Sequence, residues 1–213
     1  PGDGQSDPAE VALGQTVPAE WYRRPGFYTG NANAMIGHGA DVPIPHGTAE
    51  LDYEAEIACV IGTECANLDP ADPRSVDVIA GFTILNDWSA RDLQRHDTAL
   101  GVGPGKGKDF ANSLGPFIAT PDEIAGFPDS PAGRVTVRVN GVEQSSCDLR
   151  DMSWSWSTLL AVASSNVTLL PGDVIAAGTC TGGCILEHRA LGRGTDWLVP
   201  GDRVEIEAEG IGA

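Results

Sequence analysis

Residues 51–62 have the sequence LDYEAEIACVIG and carry the clearest structural signal in the chain. On a β-strand, residues two apart share a face, so Glu54 and Glu56 point the same way, about 6.5–7 Å apart at Cα. The other positions on both faces are largely apolar, which predicts a strand buried on both sides. Adjacent carboxylates in such a strand repel each other and lose solvation unless a cation compensates them. The pattern indicates a divalent-metal site; the alternative is a solvated edge strand with alternating glutamates.

The rest of the chain consists of short β-like runs separated by Gly and Pro. Asn140-Gly141, between two alternating runs, predicts a β-hairpin. Helices are predicted at 89–95, where Ser89 and Asp92 have capping-box spacing, and at 157–164. The chain is therefore expected to adopt an α+β, strongly β-weighted fold without βαβ alternation. The predicted strands cover residues 51–61, 76–85, 117–119, 134–139, 142–145, 174–177 and 203–208.

Length and composition exclude several classes of protein. The 213 residues fit one domain, and 13 basic against 30 acidic residues give a net charge of −17. Such a surface repels nucleic acids and anionic membranes. No apolar run approaches the ~18 residues of a membrane helix, and the N-terminus lacks a signal-peptide layout. Five cysteines without a zinc-site spacing are expected to be reduced thiols in a cytoplasmic protein.

A second group of polar residues lies in FTILNDWSARDLQ, residues 82–94. Asp87 ends an apolar run where a predicted helix begins, a usual position for a ligand. Arg91 and Gln94 are three apart and share a helix face, and the Arg91 guanidinium suits a carboxylate or keto-acid. The alternative is that Asp87 is a turn residue and Arg91 pairs with surface acids.

These motifs together resemble the fumarylacetoacetate hydrolase family. The resemblance continues through GKGKDFANSLGPFIAT (105–120), LLPGDVIAAGTCTGG (169–183) and LVPGDRVEIEAEGIG (198–212), in the order and spacing of the family. It implies a mixed β-roll or sandwich with few short helices, a catalytic domain at 25–213 preceded by an N-terminal arm at 1–24, either whole or incomplete, and a homodimer.

The resemblance also implies roles for individual residues. Glu54, Glu56 and Asp87 match the family's ligands for Mg²⁺, with Mn²⁺ or Ca²⁺ as alternatives. Arg91, Gln94, Gly178 and Thr179 match positions that contact substrate. Lys108 matches the active-site lysine, and Glu187 matches the glutamate that orients or activates water. Each also has an ordinary alternative: Lys108, for example, as a solvated loop lysine beside Asp109.

One departure from the family concerns histidine. Family hydrolases pair an upstream histidine with the late glutamate, but residues 1–24 contain none. His38 and His46 lie downstream and are candidates to substitute, whereas His96 is expected to be solvated. If the histidine segment is missing from this sequence, hydrolysis remains possible. If the chemistry proceeds without that base, decarboxylation, isomerisation or dehydration is favoured.

The resemblance therefore implies a metal-dependent hydrolase that cleaves a C–C bond in a 1,3-dicarbonyl or 2-oxo-acid substrate, similar to fumarylacetoacetate or an acylpyruvate. The first alternative is a lyase or isomerase of the same family, such as an oxaloacetate decarboxylase or a 2-keto-3-deoxy-sugar-acid dehydratase. The second is a non-catalytic member that binds a metal and a small acid.

Overall fold

The computed structural model describes residues 19–128 and 131–213, so most of the predicted arm at 1–24 lies outside the described residues. Short strands and three short α-helices follow one another in that part of the chain. The strands are β1 (Met35–Ile36), β2 (Leu51–Asp52), β3 (Ala55–Ile61), β4 (Cys65–Ala66), β5 (Ile79–Asp87), β6 (Ser89–Ala90), β7 (Asn112–Leu114), β8 (Arg134–Val139), β9 (Val142–Asp148), β10 (Thr168–Leu169), β11 (Val174–Ala176) and β12 (Val204–Ala208). The helices are α1 (Arg91–Ala99), α2 (Trp156–Ala163) and α3 (Ile185–Ala190).

A five-stranded sheet with the order β1-β7-β5-β3-β11 forms the centre of the molecule. Its strand pairs are antiparallel except β1 with β7. A second, antiparallel sheet has the order β12-β8-β9, and two-stranded pairs β2-β6 and β10-β4 complete the structure. Apolar side chains of both larger sheets belong to one core, for example Ile57 of β3 and Val137 of β8. The α+β, strongly β-weighted prediction is confirmed.

Strand β3 occupies an inner position of the central sheet, between β5 and β11. All of its residues except Val60 are buried, so the alternative of a solvated edge strand is wrong. The predicted continuous strand at 51–61 is interrupted, however. Tyr53 and Glu54 separate β2 from β3, and Glu54 forms an isolated bridge with Cys184.

Helix α1 begins two residues later than predicted. Ser89 pairs with Asp52 in the β2-β6 ladder, and the residue before the helix, Ala90, makes no side-chain capping bond. The capping-box prediction at Ser89 is therefore wrong, because a tertiary strand pairing overrides the local signal. The predicted strand at 117–119 is also absent from the described residues, where only Ala119 forms an isolated bridge, with Phe82.

Two local predictions are confirmed. Asn140 and Gly141 connect β8 to β9 with φ of 53° and 77°, the two positive values that a type I′ hairpin turn requires. Helix α2 lies within one residue of its predicted bounds. The Ser155 side chain caps it by accepting a hydrogen bond from the Thr158 amide.

The cysteines differ from the prediction of five reduced thiols. A disulfide joins Cys147 of β9 to Cys180, whereas Cys59, Cys65 and Cys184 are thiols. The two bonded residues are 33 positions apart in the sequence, and no local spacing signals their contact. Within 19–128 and 131–213, no helix is long and apolar enough to cross a membrane.

Candidate metal and active site

The three predicted ligand carboxylates come together at the junction of β2, β3 and β5. Glu54 lies in the break before β3, and Asp87 ends β5 directly opposite, since the Asp87 amide donates to the Glu54 carbonyl. Glu56 follows one strand repeat after Glu54. One carboxylate oxygen from each of the three residues lies within 4.8 Å of the others, and all three are buried. The antiparallel pairing of β3 with β5 therefore produces the cluster that the ExE motif predicts.

Lys108 is buried within this cluster. Its Nζ donates to Glu54 Oε2 and Asp87 Oδ2, at 2.7 Å in both cases. Lys108 directly follows a short turn at 105–107, and this turn packs tightly against α1. A Cβ on Gly107 would lie 2.5 Å from the Gln94 backbone, so only glycine permits this approach. The alternative of a solvated lysine paired with Asp109 is wrong for Lys108; Lys106 makes that pair.

The Arg91 guanidinium is directed into the protein and is 3% exposed. Nη1 contacts Glu54 Oε1 at 2.7 Å, and Nε contacts Asp52 Oδ2 at 2.8 Å. Nη1 also donates to the Gln94 side-chain carbonyl at 3.0 Å. The alternative pairing of Arg91 with surface acids is wrong. In this arrangement the guanidinium forms ion pairs with buried carboxylates. Substrate contact by Arg91 or Gln94 stays a prediction.

All buried Asp, Glu, Lys and Arg side chains of the described residues belong to this one cluster. Four are carboxylates and two are cations, which leaves a formal excess of two negative charges. Burial raises the pKa of Asp52, but its two carboxylate oxygens accept hydrogen bonds from Arg91 and from two backbone amides, which favour the ionised form. Excess charge of this size in a buried position is costly unless a counter-ion is bound or protons are retained. The members are Asp52, Glu54, Glu56, Asp87, Arg91 and Lys108.

The pKa values of the three carboxyl groups are shifted in different directions. Burial alone would raise the pKa of Glu54, but Lys108 and Arg91 outweigh it and lower that pKa to about 2. Burial, followed by the charges of Glu54 and Asp87, raises the pKa of Glu56 well above its ordinary value. Burial also raises the pKa of Asp87, and Lys108 offsets this only in part. Glu56 and Asp87 therefore have too little positive charge around them to keep their ordinary pKa values.

The donor set fits a divalent ion. Asp87 Oδ1 is buried and accepts no hydrogen bond from the residues described, which leaves it available as a ligand. Three carboxylates with no nearby thiolate or imidazole ligand in this grouping suit the hard cations Mg²⁺, Mn²⁺ and Ca²⁺ better than zinc. Glu54, Glu56 and Asp87 are the residues that could hold such an ion.

The loop after β11 supports both glutamates. The Gly178 amide donates to Glu56 Oε2 at 3.1 Å, and the Thr179 side chain hydrogen-bonds to Glu54 and lowers its pKa. Glu187 is half-buried on α3 and accepts a hydrogen bond from the Gly182 amide at 2.6 Å. The structure thus brings Gly178 and Thr179 to the carboxylates, while α3 begins at Ile185, next to the Glu54–Cys184 bridge.

Sequence reasoning missed three residues near the site. The Tyr28 hydroxyl donates to Asp87 Oδ2, and burial followed by the Asp87 charge raises the pKa of this phenol. His188 is buried with Nε2 at 2.9 Å from the Gly182 carbonyl. Asp52, the third, binds Arg91 and the start of α3. Long-range contacts identify the roles of Tyr28 and Asp52, although Asp52 lies inside the quoted acidic motif.

The histidines considered as substitutes are surface residues. His38 and His46 are exposed, and no contact of the described residues joins either to the carboxylates. His96 is exposed and pairs with Asp97, as predicted for a solvated residue.

Comparison with known proteins identifies the family of the chain. The model of the fumarylacetoacetate (FAA) hydrolase C-terminal family matches residues 2–213. A curated Burkholderia multivorans protein, named only as a hydrolase, is 32% identical over 184 residues, which are 84% of this chain and 60% of that protein. The chain thus spans about 60% of the length of the curated relatives it matches.

Solved structures show the same fold. A fumarylacetoacetate hydrolase of Exiguobacterium antarcticum is 34% identical with a TM-score of 0.67, covering 84% of this chain and 60% of that one. A 5-carboxymethyl-2-hydroxymuconate delta-isomerase of Mycobacterium smegmatis is 34% identical with a TM-score of 0.66, covering 84% and 62%. A Pseudomonas aeruginosa fumarylpyruvate hydrolase, solved with Mn²⁺ and pyruvate, shares the fold at 22% identity and a TM-score of 0.71, covering 90% and 78%. The chain belongs to the fumarylacetoacetate hydrolase family.

Proposed function

We propose that this chain is a metal-dependent hydrolase that cleaves a C–C bond in a 1,3-dicarbonyl or 2-oxo-acid substrate, of the acylpyruvate or fumarylacetoacetate type. The buried formal excess of two negative charges carries the proposal, because it matches one divalent cation. Glu54, Glu56 and Asp87 would hold the ion, with Mg²⁺ as the first choice. When bound, such an ion supplies Lewis-acid polarisation of a carbonyl.

The residues around the cluster divide the remaining work. Glu187 is the general base: water adds to the carbonyl carbon and its proton passes to this carboxylate. The C–C bond then breaks, and its electron pair enters a leaving enolate. The enolate takes up a proton, so that water and substrate give one carboxylic acid and one ketone.

Lys108 stabilises the negative charge that develops on the enolate oxygen. An ammonium has three N–H donors, and two of them are used by Glu54 and Asp87. The third is the donor assigned to substrate oxygen. Gly178 and Thr179 hold the two glutamates, and we assign them a place beside the substrate.

The same site also suits a related lyase or isomerase. One relative that is 34% identical is named as an isomerase. Enolate stabilisation by Lys108 needs no water-activating base, whereas hydrolysis does. Glu187 therefore separates the two functions.

The direct test is loss of the ultraviolet absorbance of an acylpyruvate in the presence of Mg²⁺. Hydrolysis that stops with a chelator and returns with Mg²⁺ supports the proposal. Glu187→Gln should lower that hydrolysis by about 10²–10⁴-fold, the usual contribution of general-base catalysis, with substrate affinity little changed. Decarboxylation of oxaloacetate, if observed, should persist in this variant.

Three results would contradict parts of the proposal. Turnover that is indifferent to chelator excludes the metal role. Binding of acylpyruvate and Mg²⁺ without turnover identifies a non-catalytic binding member. Equal loss of hydrolysis and decarboxylation in Glu187→Gln removes the water-activating role from Glu187.

A further inference from the structure

Both carboxylate oxygens of Asp52 are hydrogen-bonded within the buried cluster, yet none of the catalytic roles above involves it. Its relative exposure is 0%. Oδ1 accepts from the Ile185 amide at 2.7 Å. Oδ2 accepts from the Leu186 amide at 3.0 Å and from Arg91 Nε at 2.8 Å. One carboxylate therefore joins two structural groups.

The first group is the start of helix α3. Ile185 and Leu186 are its first two residues, and Glu187 is the third. The first amides of a helix have no partner within it, and the preceding residue, Cys184, supplies no side-chain bond. Asp52 satisfies both amides from strand β2, more than 130 residues earlier in the chain. It therefore fixes where the turn that carries Glu187 begins.

The second group is the metal cluster. Asp52 holds Arg91, and Arg91 Nη1 contacts Glu54 Oε1 at 2.7 Å. Strand β2 ends at Asp52, so only Tyr53 separates it from Glu54. Asp52 thus contacts the helix that carries Glu187 directly and the Glu54 carboxylate of the candidate metal site through Arg91.

We propose that Asp52 is a positioning residue that sets the placement of Glu187 relative to the Glu54 carboxylate. This inference rests on the proposed function of Glu187 as the base. Asp52 acts through α3 and Arg91, and it needs no contact with substrate. Its effect belongs to the hydrolytic step and not to metal retention, because Lys108, which does not depend on Asp52, still holds Glu54 and Asp87 when Asp52 is changed.

Asp52→Asn tests the inference. Oδ1 and Oδ2 both face N–H donors, so either orientation of the amide turns its NH₂ toward a donor. Loss of such supporting contacts typically lowers activity about 10- to 100-fold, and we expect a fall of that size in kcat, with KM and the Mg²⁺ dissociation constant little changed. Asp202→Asn is the matched control. Asp202 also accepts from a backbone amide, that of Val199, but this turn precedes β12 and the substitution should leave kcat unchanged.

A double-variant cycle distinguishes positioning from a general structural role. If Asp52 acts through Glu187, then Asp52→Asn combined with Glu187→Gln is no slower than Glu187→Gln alone. Multiplying losses would overturn the inference while leaving Glu187 as the base. No effect of Glu187→Gln on hydrolysis would instead overturn the proposed function. If Asp52→Asn does not fold, Asp52→Glu, which keeps the charge and displaces the carboxylate, enters the same cycle; failure of both to fold assigns Asp52 to the fold and overturns the inference.

Discussion

Lys106 and Lys108 stand two residues apart in one loop, and their environments are opposite. The Lys106 side chain is 81% exposed and pairs with Asp109, three residues away. The Lys108 side chain is 6% exposed and lies 2.7 Å from Glu54 and from Asp87, which come from other strands. The two lysines thus belong to two clusters of the same residue types, one in solvent and one in the core.

The comparison teaches that burial, and not the presence of ion pairs, gives the inner cluster its chemistry. Water screens the Lys106–Asp109 pair, and exposed pairs of this kind contribute little. In the inner cluster, burial of an unpaired charge has a large free-energy cost. The excess of two negative charges therefore favours binding of a cation. The predictions below compare matched changes in the two clusters.

The largest expected effect comes from removing Lys108. Lys108→Met leaves Glu54 and Asp87 without their shared partner, and breaking a buried pair typically costs about 3–5 kcal/mol. We therefore expect a loss of unfolding free energy of that order in chelator at pH 8, with loss of activity. Lys106→Met should leave the urea midpoint and activity unchanged. Equal effects of the two substitutions would erase the distinction between the clusters.

A second prediction concerns Glu56. Glu56→Gln keeps the shape of the side chain but removes a charge that the cation requires, so we expect Mg²⁺ affinity and activity to fall together, by at least the roughly 10- to 100-fold that loss of an outer-shell partner costs. The metal-free variant should be as stable as the parent protein or more stable, because one member of a repelling group is gone. Calorimetric Mg²⁺ titration and thermal unfolding measure both quantities. Glu64→Gln, at an exposed position, is the control, and a fully active, Mg²⁺-dependent Glu56→Gln would remove Glu56 from the ligand set.

A third, smaller effect is the pH dependence of stability without metal. Because the pKa values of Glu56 and Asp87 are raised in the folded protein, the native state binds more protons than the unfolded state. Their contribution to stability therefore declines as pH rises from the ordinary carboxyl range through the raised values. Asp97 and Asp109, which are half-buried at the surface, have lowered pKa values, so their contribution has the opposite sign and is lost as pH falls.

Thermal unfolding between pH 4 and 8 checks this sign. In chelator, the midpoint should decline toward high pH, and both Glu56→Gln and added Mg²⁺ should flatten the decline. A midpoint that rises steadily over this interval in chelator would mean that the inner carboxyl groups are not short of positive charge.

Local patterns in the sequence predicted much of the fold. The Asn140-Gly141 turn and the two apolar faces around Glu54 are short-range signals that tertiary contacts reinforce. Ser89 shows the limit, because its pairing with Asp52 across β2 and β6 replaces the predicted helix cap. The disulfide of Cys147 and Cys180 was missed because only the folded chain brings these two residues, 33 positions apart, together.

Some residues of the candidate site were likewise predicted from the sequence, and others were missed. The sequence predicted that Glu54 and Glu56 share a strand face and that Asp87 stands at a usual position for a ligand, and the family resemblance added Lys108 and joined the three carboxylates in one site. Tyr28 and Asp52 were missed, since their roles arise from contacts 59 and 133 positions away in the chain. Whether a residue balances charge or contacts substrate depends on such contacts, as the inward direction of Arg91 shows.

The most direct test of the central claim is anomalous diffraction from crystals soaked in Mn²⁺. The account predicts one manganese peak between the three carboxylates, with an oxygen of Glu54, Glu56 and Asp87 each at about 2.0–2.6 Å, and no peak at Asp97 or Asp109. Saturated crystals in which the three carboxylates are ordered but enclose no manganese would contradict it.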